Sequence, residues 1–403
     1  MDELRADVAI IGAGPAGSTL AALLAGAGVN VVVVDRETFP RDKVCGEFLS
    51  WDALPVLEQI GVLEEIDRNG AQMIDRCQIM LRGRAYEFSF PASARGISRR
   101  TLDETILDRA RVLGASTLEG WSVTRVEPRE EDPGFLLARN RAGDEMKIIA
   151  GTLVGAWGRW GRLDIQMQRK FARETRRRHF GFKRHYASRT DDARTIRLYP
   201  FRHGYLGASP IEGGRTNVCG LVHQARMREM EDKWHGLVKS LRAESGELDD
   251  LFAGREPAQK TFLSSEPVIF TAREPVLDGM LLIGDSAGII DPLTGNGMAM
   301  AIQSALLAAG SIAQRLSGGR FAEMSGRIYS KHYAEWFESR IRWSRRSASI
   351  LSRPRLLEMI GRLAPEPRMG EYFAKKTRAD LTHLGRMIDA WKRAGGVGWG
   401  GPS

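Results

Sequence analysis

The sequence predicts an α/β fold in three parts: a domain on a parallel sheet, an antiparallel sheet inserted into it, and a helical C-terminal segment. Three observations predict it. A strand, a glycine-rich turn, a helix and a second strand ending in an acid occupy residues 7–37. A second strand–loop–helix unit with close-approach glycines returns at residues 280–310. Between the two lie short, loosely alternating segments separated by turn residues, as in an antiparallel sheet with one covered face.

In the first unit, DVAIIGAGPAGSTLAALLAGAGVNVVVVDRE, Val8 to Ile11 is a β-branched buried-strand run. Gly12, Gly14 and Gly17 form G-x-G-x-x-G, with Ala16 inside it, and an Ala/Leu-rich helix follows. The first glycine permits the tight turn, the second lets backbone approach a pyrophosphate, and the third lets helix and strand pack closely. The helix N-terminus faces the phosphates with free N–H groups. Val31 to Val34 is the second strand, and Asp35 at its end is placed to accept from a ribose hydroxyl. The spacing thus predicts a Rossmann-like dinucleotide site, without choosing which dinucleotide.

The far unit reads MLLIGDSAGIIDPLTGNGMAMAIQSALLAAG. Leu281 to Ile283 is a short buried strand, Gly284 and Asp285 follow, and Pro292, Gly295 and Gly297 mark a tight loop before a small-residue helix near Met298. Two such units suit a long cofactor held at both ends.

Composition sets the outer limits. The chain has 403 residues, 43% hydrophobic and 27% charged, a globular composition too long for one small core. Cys45, Cys77 and Cys219 are few, odd in number and widely spaced; they fit neither a disulfide framework nor a metal cluster and suit a reducing cytoplasm. The acidic start runs straight into a strand, so no signal peptide is expected. The longest apolar runs are broken by Gly, Asp or Pro, so none reads as a spanning helix. Net charge is +9, but from Lys331 onward 15 Lys or Arg stand against 7 Asp or Glu, so eight of those charges sit in the tail. The body is nearly neutral, which argues against a nucleic-acid-binding surface. The tail could meet an acidic carrier protein or touch a membrane peripherally.

With both units on the page, the chain resembles the FAD-dependent oxidoreductases that include geranylgeranyl reductases, aromatic-ring hydroxylases and flavin-dependent halogenases, over roughly residues 6–315. The resemblance implies FAD, with Asp285 bonding its ribityl chain and the backbone from Gly295 to Met298 facing the flavin pyrimidine, where a helix dipole favours negative charge. It also implies a helix at residues 98–115 opening beside the cofactor, where Arg99 stands four residues ahead of Asp103; a surface ion pair is the plainer reading of those two. RDKVCGEFLS crosses from the ribose-binding acid toward the flavin, and its K-x-C-G pattern most resembles the geranylgeranyl-reductase branch. Lys43, Cys45 and Glu47 thereby become catalytic candidates, while Arg36 and Arg41 could reach phosphate or adenine and Gly46 lies against the cofactor. The alternative is that Cys45 and Gly46 merely fit a crowded turn.

The chain also departs from the pattern. In TLVGAWGRWGRLD, Trp157 stands where hydroxylases show an Ala-Asp-Gly segment tied to NAD(P)H use. That puts direct reduction by NADPH or NADH in doubt, leaves room for an electron-donor protein, and leaves Arg159 and Arg162 as phosphate-reaching groups. No W-x-W-x-I-P halogenase signature is present.

The remaining segments complete the expected layout. RKFARETRRR, residues 169–178, reads as a solvated surface, and four strands follow between residues 179 and 223, offering His185, Tyr199, His203, Tyr205 and His223 as polar aromatics. The tail from about residue 325 looks helical. Phe373, Leu381, Leu384, Ile388 and Trp391 follow helical spacing, interrupted by Pro354, Pro365 and Pro367; these helices would pack on the substrate domain, and GGVGWGGPS would lack order. The expected boundaries are a nucleotide domain in pieces at 1–75, 98–165 and 271–324, substrate-layer strands at 76–97, a substrate domain at 166–270 and a tail at 325–403. The expected activity is flavin hydride transfer to or from a carbon–carbon bond of a small lipophilic or polycyclic substrate. Hydroxylation of an aromatic or polyketide ring, as by a monooxygenase, and a non-catalytic flavoprotein are the alternatives. An NAD-dependent dehydrogenase without flavin is disfavoured by the GDSAG…GNG segment.

Overall fold

The computed structural model describes residues 2–129, 133–174, 178–230, 233–258, 262–317, 320–351, 372 and 376–395. Its first sheet runs in the order Val276–Leu277, Met280–Leu282, Glu145–Gly155, Asp2–Ile11, Val31–Asp35, Ser116–Glu119. The strands from Met280–Leu282 to Ser116–Glu119 are parallel, and a meander of Trp121–Glu127 and Gly134–Asn140 extends from Glu145–Gly155. Val8 to Ile11 and Val31 to Val34 are buried, which is why they read as unbroken apolar runs.

The two motif units meet through small residues. Helix Pro15–Gly26 packs against Arg99–Val112 and Gly297–Leu316. A Cβ on Gly17 would stand 1.9 Å from the Gly12 carbonyl oxygen, and one on Gly284 would stand 3.0 Å from the Ala16 Cβ. Glycine at those positions is what lets the front turn and the far strand close on one another.

The second sheet runs Leu263–Ser264, Arg178–Ala187, Arg215–His223, Gly204–Ile211, Thr195–Phe201, Gln72–Leu81, Arg84–Gly96, Phe48–Leu49. Strand alternation divides its side chains cleanly. Phe182, Tyr186, Tyr199, Leu206 and Val218 share a core with Leu237, Leu241 and Leu248 of the covering helices Lys233–Glu244 and Gly246–Phe252. The registers place Lys183, Cys219, Gly207, Leu198, Ile79 and Tyr86 on the opposite face. That face looks at the first domain.

Two expectations are corrected here. Arg169 and Phe171 are buried rather than solvated, because the Arg169 guanidinium donates to Asp164 Oδ1 at 2.9 Å and Arg273 stacks on Phe171 at 3.7 Å. The tail helix Leu381–Arg393 packs on Gly297–Leu316 and Leu54–Gln59 of the nucleotide domain, not on the substrate sheet. Its Leu384, Ile388 and Trp391 are buried there, while Leu381 stays 46% exposed. The apolar stripe of that helix is therefore occupied by protein. Gly297–Leu316 does meet the length and composition of a membrane span, but 78% of that window is buried as the core helix between the two units. Phe373, Pro354, Pro365, Pro367 and residues 396–403 lie outside the described residues.

Candidate active site and cofactor cleft

Two arginines converge on the glycine turn. Helix Arg99–Val112 begins at Ser98, whose hydroxyl caps the Thr101 N–H. This puts the fully buried Asp103 one turn inside, where Oδ1 and Oδ2 accept from Arg99 at 2.7 and 2.6 Å and Oδ2 accepts from Arg41 at 3.0 Å. The expected Arg99–Asp103 pair is thus real, and it is an anchor rather than a surface contact. Burial alone would lower the Arg99 pKa; Asp103 overrides it and raises it. A Cβ at Gly14 would lie 3.8 Å from an Arg99 Nη and 3.9 Å from an Arg41 Nη, so both cations point at the turn. Arg41 Nε is buried with no partner among the described residues. Asp35 accepts from Ala13 N at 2.7 Å and Glu37 N at 2.9 Å, which fixes the acid beside the same turn.

Lys43 belongs to this end. Burial, then the neighbouring Arg41 and Arg36, lower its pKa to about 8. Arg36 stands at the surface paired with Glu37, at the edge of the same cationic cluster. Replacing Arg99 by methionine is expected to raise the Kd for FAD about ten- to a hundredfold, the scale of one charged hydrogen-bonded contact; equilibrium dialysis with FAD measures it.

The reactive-loop candidates split apart around Glu47. Its backbone is left-handed at φ 54°, and its side chain is fully buried. Oε1 accepts from Lys183 Nζ at 2.5 Å and from Arg99 N at 2.9 Å, and His185 Nε2 lies 2.6 Å from Oε2. Lys183 Nζ also donates to Lys43 O at 3.2 Å, and Asn217 Nδ2 donates to Cys45 O at 2.9 Å. Glu47 is therefore a positioning residue: with its carboxylate saturated, it pins the loop onto the sheet. Cys45 remains half-exposed, its thiol accepting from Glu47 N at 3.4 Å. Gly46 is exposed and has open space where a Cβ would be.

The sequence reading missed Lys183 and Asn217. Lys-x-His on a strand whose other positions are Phe182 and Tyr186 was the available signal. Of the aromatics it named, His185 and Tyr205 face the cleft. Tyr199 is in the opposite core, His203 occupies a turn, and His223 caps helix Gln224–Arg228.

At the far end, Arg159 bridges the units, donating to Val44 O at 2.6 Å and standing 3.6 Å from Asp285. Arg162 is exposed. Trp157 Nε1 donates to Asp164 Oδ2 at 3.1 Å, and Asp164 is paired with the buried Arg169, so this carboxylate is structural. Gly295 adopts φ 63° with Phe48 against it, and Gly297 opens the helix that carries the buried Met298.

Asp291 begins that loop. It accepts from Leu293 N at 3.0 Å and faces the Tyr205 hydroxyl at 3.5 Å. Burial raises its pKa from 3.8 to about 7, against the opposing Leu293 and Tyr205 contacts. A carboxyl with a raised folded pKa holds its proton longer in the folded state. Its contribution is complete below the unfolded value and is lost as pH rises through the folded one. Asp291→Asn keeps the acceptor for Leu293 and removes the charge. Urea unfolding should find it more stable than wild type at about pH 8, with the gap closing by up to roughly 1.4 kcal/mol per unit toward acid.

A glycine turn with two anchored guanidiniums, an acid held beside it and a second glycine loop ending in a helix N-terminus defines a dinucleotide cleft between two sheets. Residues 5–325 match the FAD binding domain family, and the chain belongs to it. It is 26% identical over 355 residues to a tryptophan 2-halogenase of Chondromyces crocatus, covering 82% of this chain but only 66% of that protein's length. It is 28% identical over 380 residues to a menaquinone reductase of Mycolicibacterium smegmatis, covering 89% of this chain and 88% of the relative. A flavoprotein/dehydrogenase structure from Cytophaga hutchinsonii superposes with a TM-score of 0.75 over 96% of this chain and 100% of that one, at 18% identity, a likeness of fold. The protein is an FAD-dependent oxidoreductase or monooxygenase. Its residues fit the cofactor: Gly14, Arg41 and Arg99 would hold the pyrophosphate, Asp35 the ribose, and the segment from Gly284 to Met298 the flavin half. Among the described residues there is no cluster of His, Cys, Asp and Glu able to hold a metal.

Proposed function

We propose that this protein moves hydride to or from a carbon–carbon bond of a lipophilic substrate lying between the second sheet and the flavin. The observation that carries the reading is the sheet face opposite the loop from Asp291 to Gly297. Ile79, Tyr86, Leu198 and Tyr205 gather there with Leu293 and Ala348, and Phe90 and Ile196 gather with Phe48 and Trp51. An apolar wall with few polar groups suits an apolar substrate. The length shared with a menaquinone reductase supports a reductase more than the shorter overlap with a halogenase does. Bound FAD would supply the redox chemistry. The chain's residues position: Glu47, Lys183 and His185 fix the Cys45 loop, and the Tyr205 hydroxyl beside Asp291 is where a proton can be held. NADPH, NADH or a donor protein would supply electrons, and the basic tail would suit an acidic donor or carrier. Three free cysteines suit a reducing cytoplasm.

The test is anaerobic. NADPH or NADH is added to the FAD-loaded protein, followed by a quinone or polyprenyl lipid. Flavin bands that bleach and return with the lipid support the proposal. In a parallel run in air, oxygen uptake coupled to a hydroxylated product overturns it in favour of monooxygenation.

A further inference from the structure

We propose that Arg378, supplied by the C-terminal segment, is the anchor for a carboxylate on the substrate. The proposal rests on the apolar-wall reading above and names the polar end of the same substrate. Residues 377–379 form a strap across the flavin-edge loop. Asn296 Nδ2 donates to Thr377 O, Ala379 N donates to the buried Asp52 Oδ2 at 2.9 Å, and Arg378 donates to Thr294 O at 2.5 Å. The Arg378 guanidinium lies 5.1 Å over the Trp51 ring and close enough to Cys77, on the sheet's flavin-facing row, to act on that thiol.

The arginine is therefore at the seam between the apolar wall and the loop. Its other contact is Thr377 Oγ1 at 3.1 Å, and its Nε is buried with no partner among the described residues. No carboxylate among the described residues is within ion-pair distance of it. Asp52, the acid nearest in effect, is engaged with Gln303, Ala379 N and, at 4.0 Å, Arg340.

Burial lowers the Arg378 pKa, Asp52 and Cys77 opposing, yet a guanidinium keeps its charge under ordinary conditions. A partly exposed guanidinium at this seam, with no carboxylate within ion-pair distance among the described residues, is short of a counter-ion. The part of the Arg378 guanidinium that stays exposed can donate to a carboxylate in a charge-assisted hydrogen bond. The surrounding wall, Trp51, Phe90 and Ile196, offers only apolar contact to the rest of the molecule.

The experiment titrates the FAD-loaded protein with naphthoate and with its neutral counterpart naphthylmethanol, reading the shift of the flavin absorption bands. Wild type should bind the acid about tenfold or more tightly than the alcohol, the scale of one charged hydrogen-bonded pair. Arg378→Gln, which can still donate to Thr294 O, should lose that preference while keeping its flavin, and Arg378→Lys should keep a smaller one. Equal binding of the two probes by wild type, or an undiminished preference in Arg378→Gln, overturns the assignment while leaving the apolar wall standing. If neither probe shifts the bands, both the assignment and the apolar-wall reading are overturned.

Discussion

Replacing Glu47 by glutamine is expected to destabilise the protein by about 3–5 kcal/mol, the cost of leaving a buried charge without its partner. Lys183 is the charge in question. Its side chain is fully buried, it sits 2.5 Å from Glu47 Oε1, and its other carboxylate contact, Asp42, is 3.7 Å away. Glutamine keeps the size and an acceptor but not the charge, and His185 loses an anionic neighbour at 2.6 Å. Pairing Glu47→Gln with Lys183→Met should recover most of the loss, because removing both charges removes the desolvation problem along with the attraction. Urea midpoints with unchanged slopes measure both effects. A single variant within about 0.5 kcal/mol of wild type would show that this ion pair does not hold the Cys45 loop to the sheet.

Gly17→Ala should be as damaging, by a different mechanism. The added methyl would stand 1.9 Å from the Gly12 carbonyl oxygen and 3.3 Å from the Ala156 Cβ. Neither the turn nor the neighbouring strand can yield by that distance without opening the sheet at the point where the pyrophosphate would be held. A loss above about 4 kcal/mol is expected, in the range where single substitutions unfold domains. Gly310→Ala is the control. It lies in helix Gly297–Leu316 with no atom within 4 Å of its added Cβ, so it should gain about 0.5–1 kcal/mol from the helix preference of alanine. Thermal unfolding of the two variants, with retained flavin, separates a packing glycine from an incidental one.

These two sites also show what a reader of the sequence could see. The glycines of the turn, Asp35 and the far GDSAG…GNG unit were legible because a phosphate turn is local: its mechanics are written within a few consecutive residues. Arg99 was legible for the same reason, being one helical turn from Asp103. The Glu47 assembly was not, because its partners come from 136 and 138 residues away, and no local rule says which strand faces which loop. Alternation did carry half of that information, since Lys183 and His185 share a face that Phe182 and Tyr186 do not.

Around Trp157 the motif showed the departure but not its setting, because the indole's partner Asp164 and the Arg169 behind it are brought together by the fold. Arg169 and Phe171 were misread as solvated because charge was read without its partners, while Lys170 and Arg173 are exposed as expected. Arg378 was invisible because its place is set by a strap that touches Asp52 and Asn296 from 327 and 81 residues away.

The central claim is that this cleft holds FAD, and the absorption spectrum of the purified protein tests it most directly. Incubation with FAD followed by gel filtration should leave the paired visible bands of an oxidised flavin on the protein at close to one equivalent, and Arg99→Met should retain less. A colourless protein that takes up no FAD would contradict the account at its foundation.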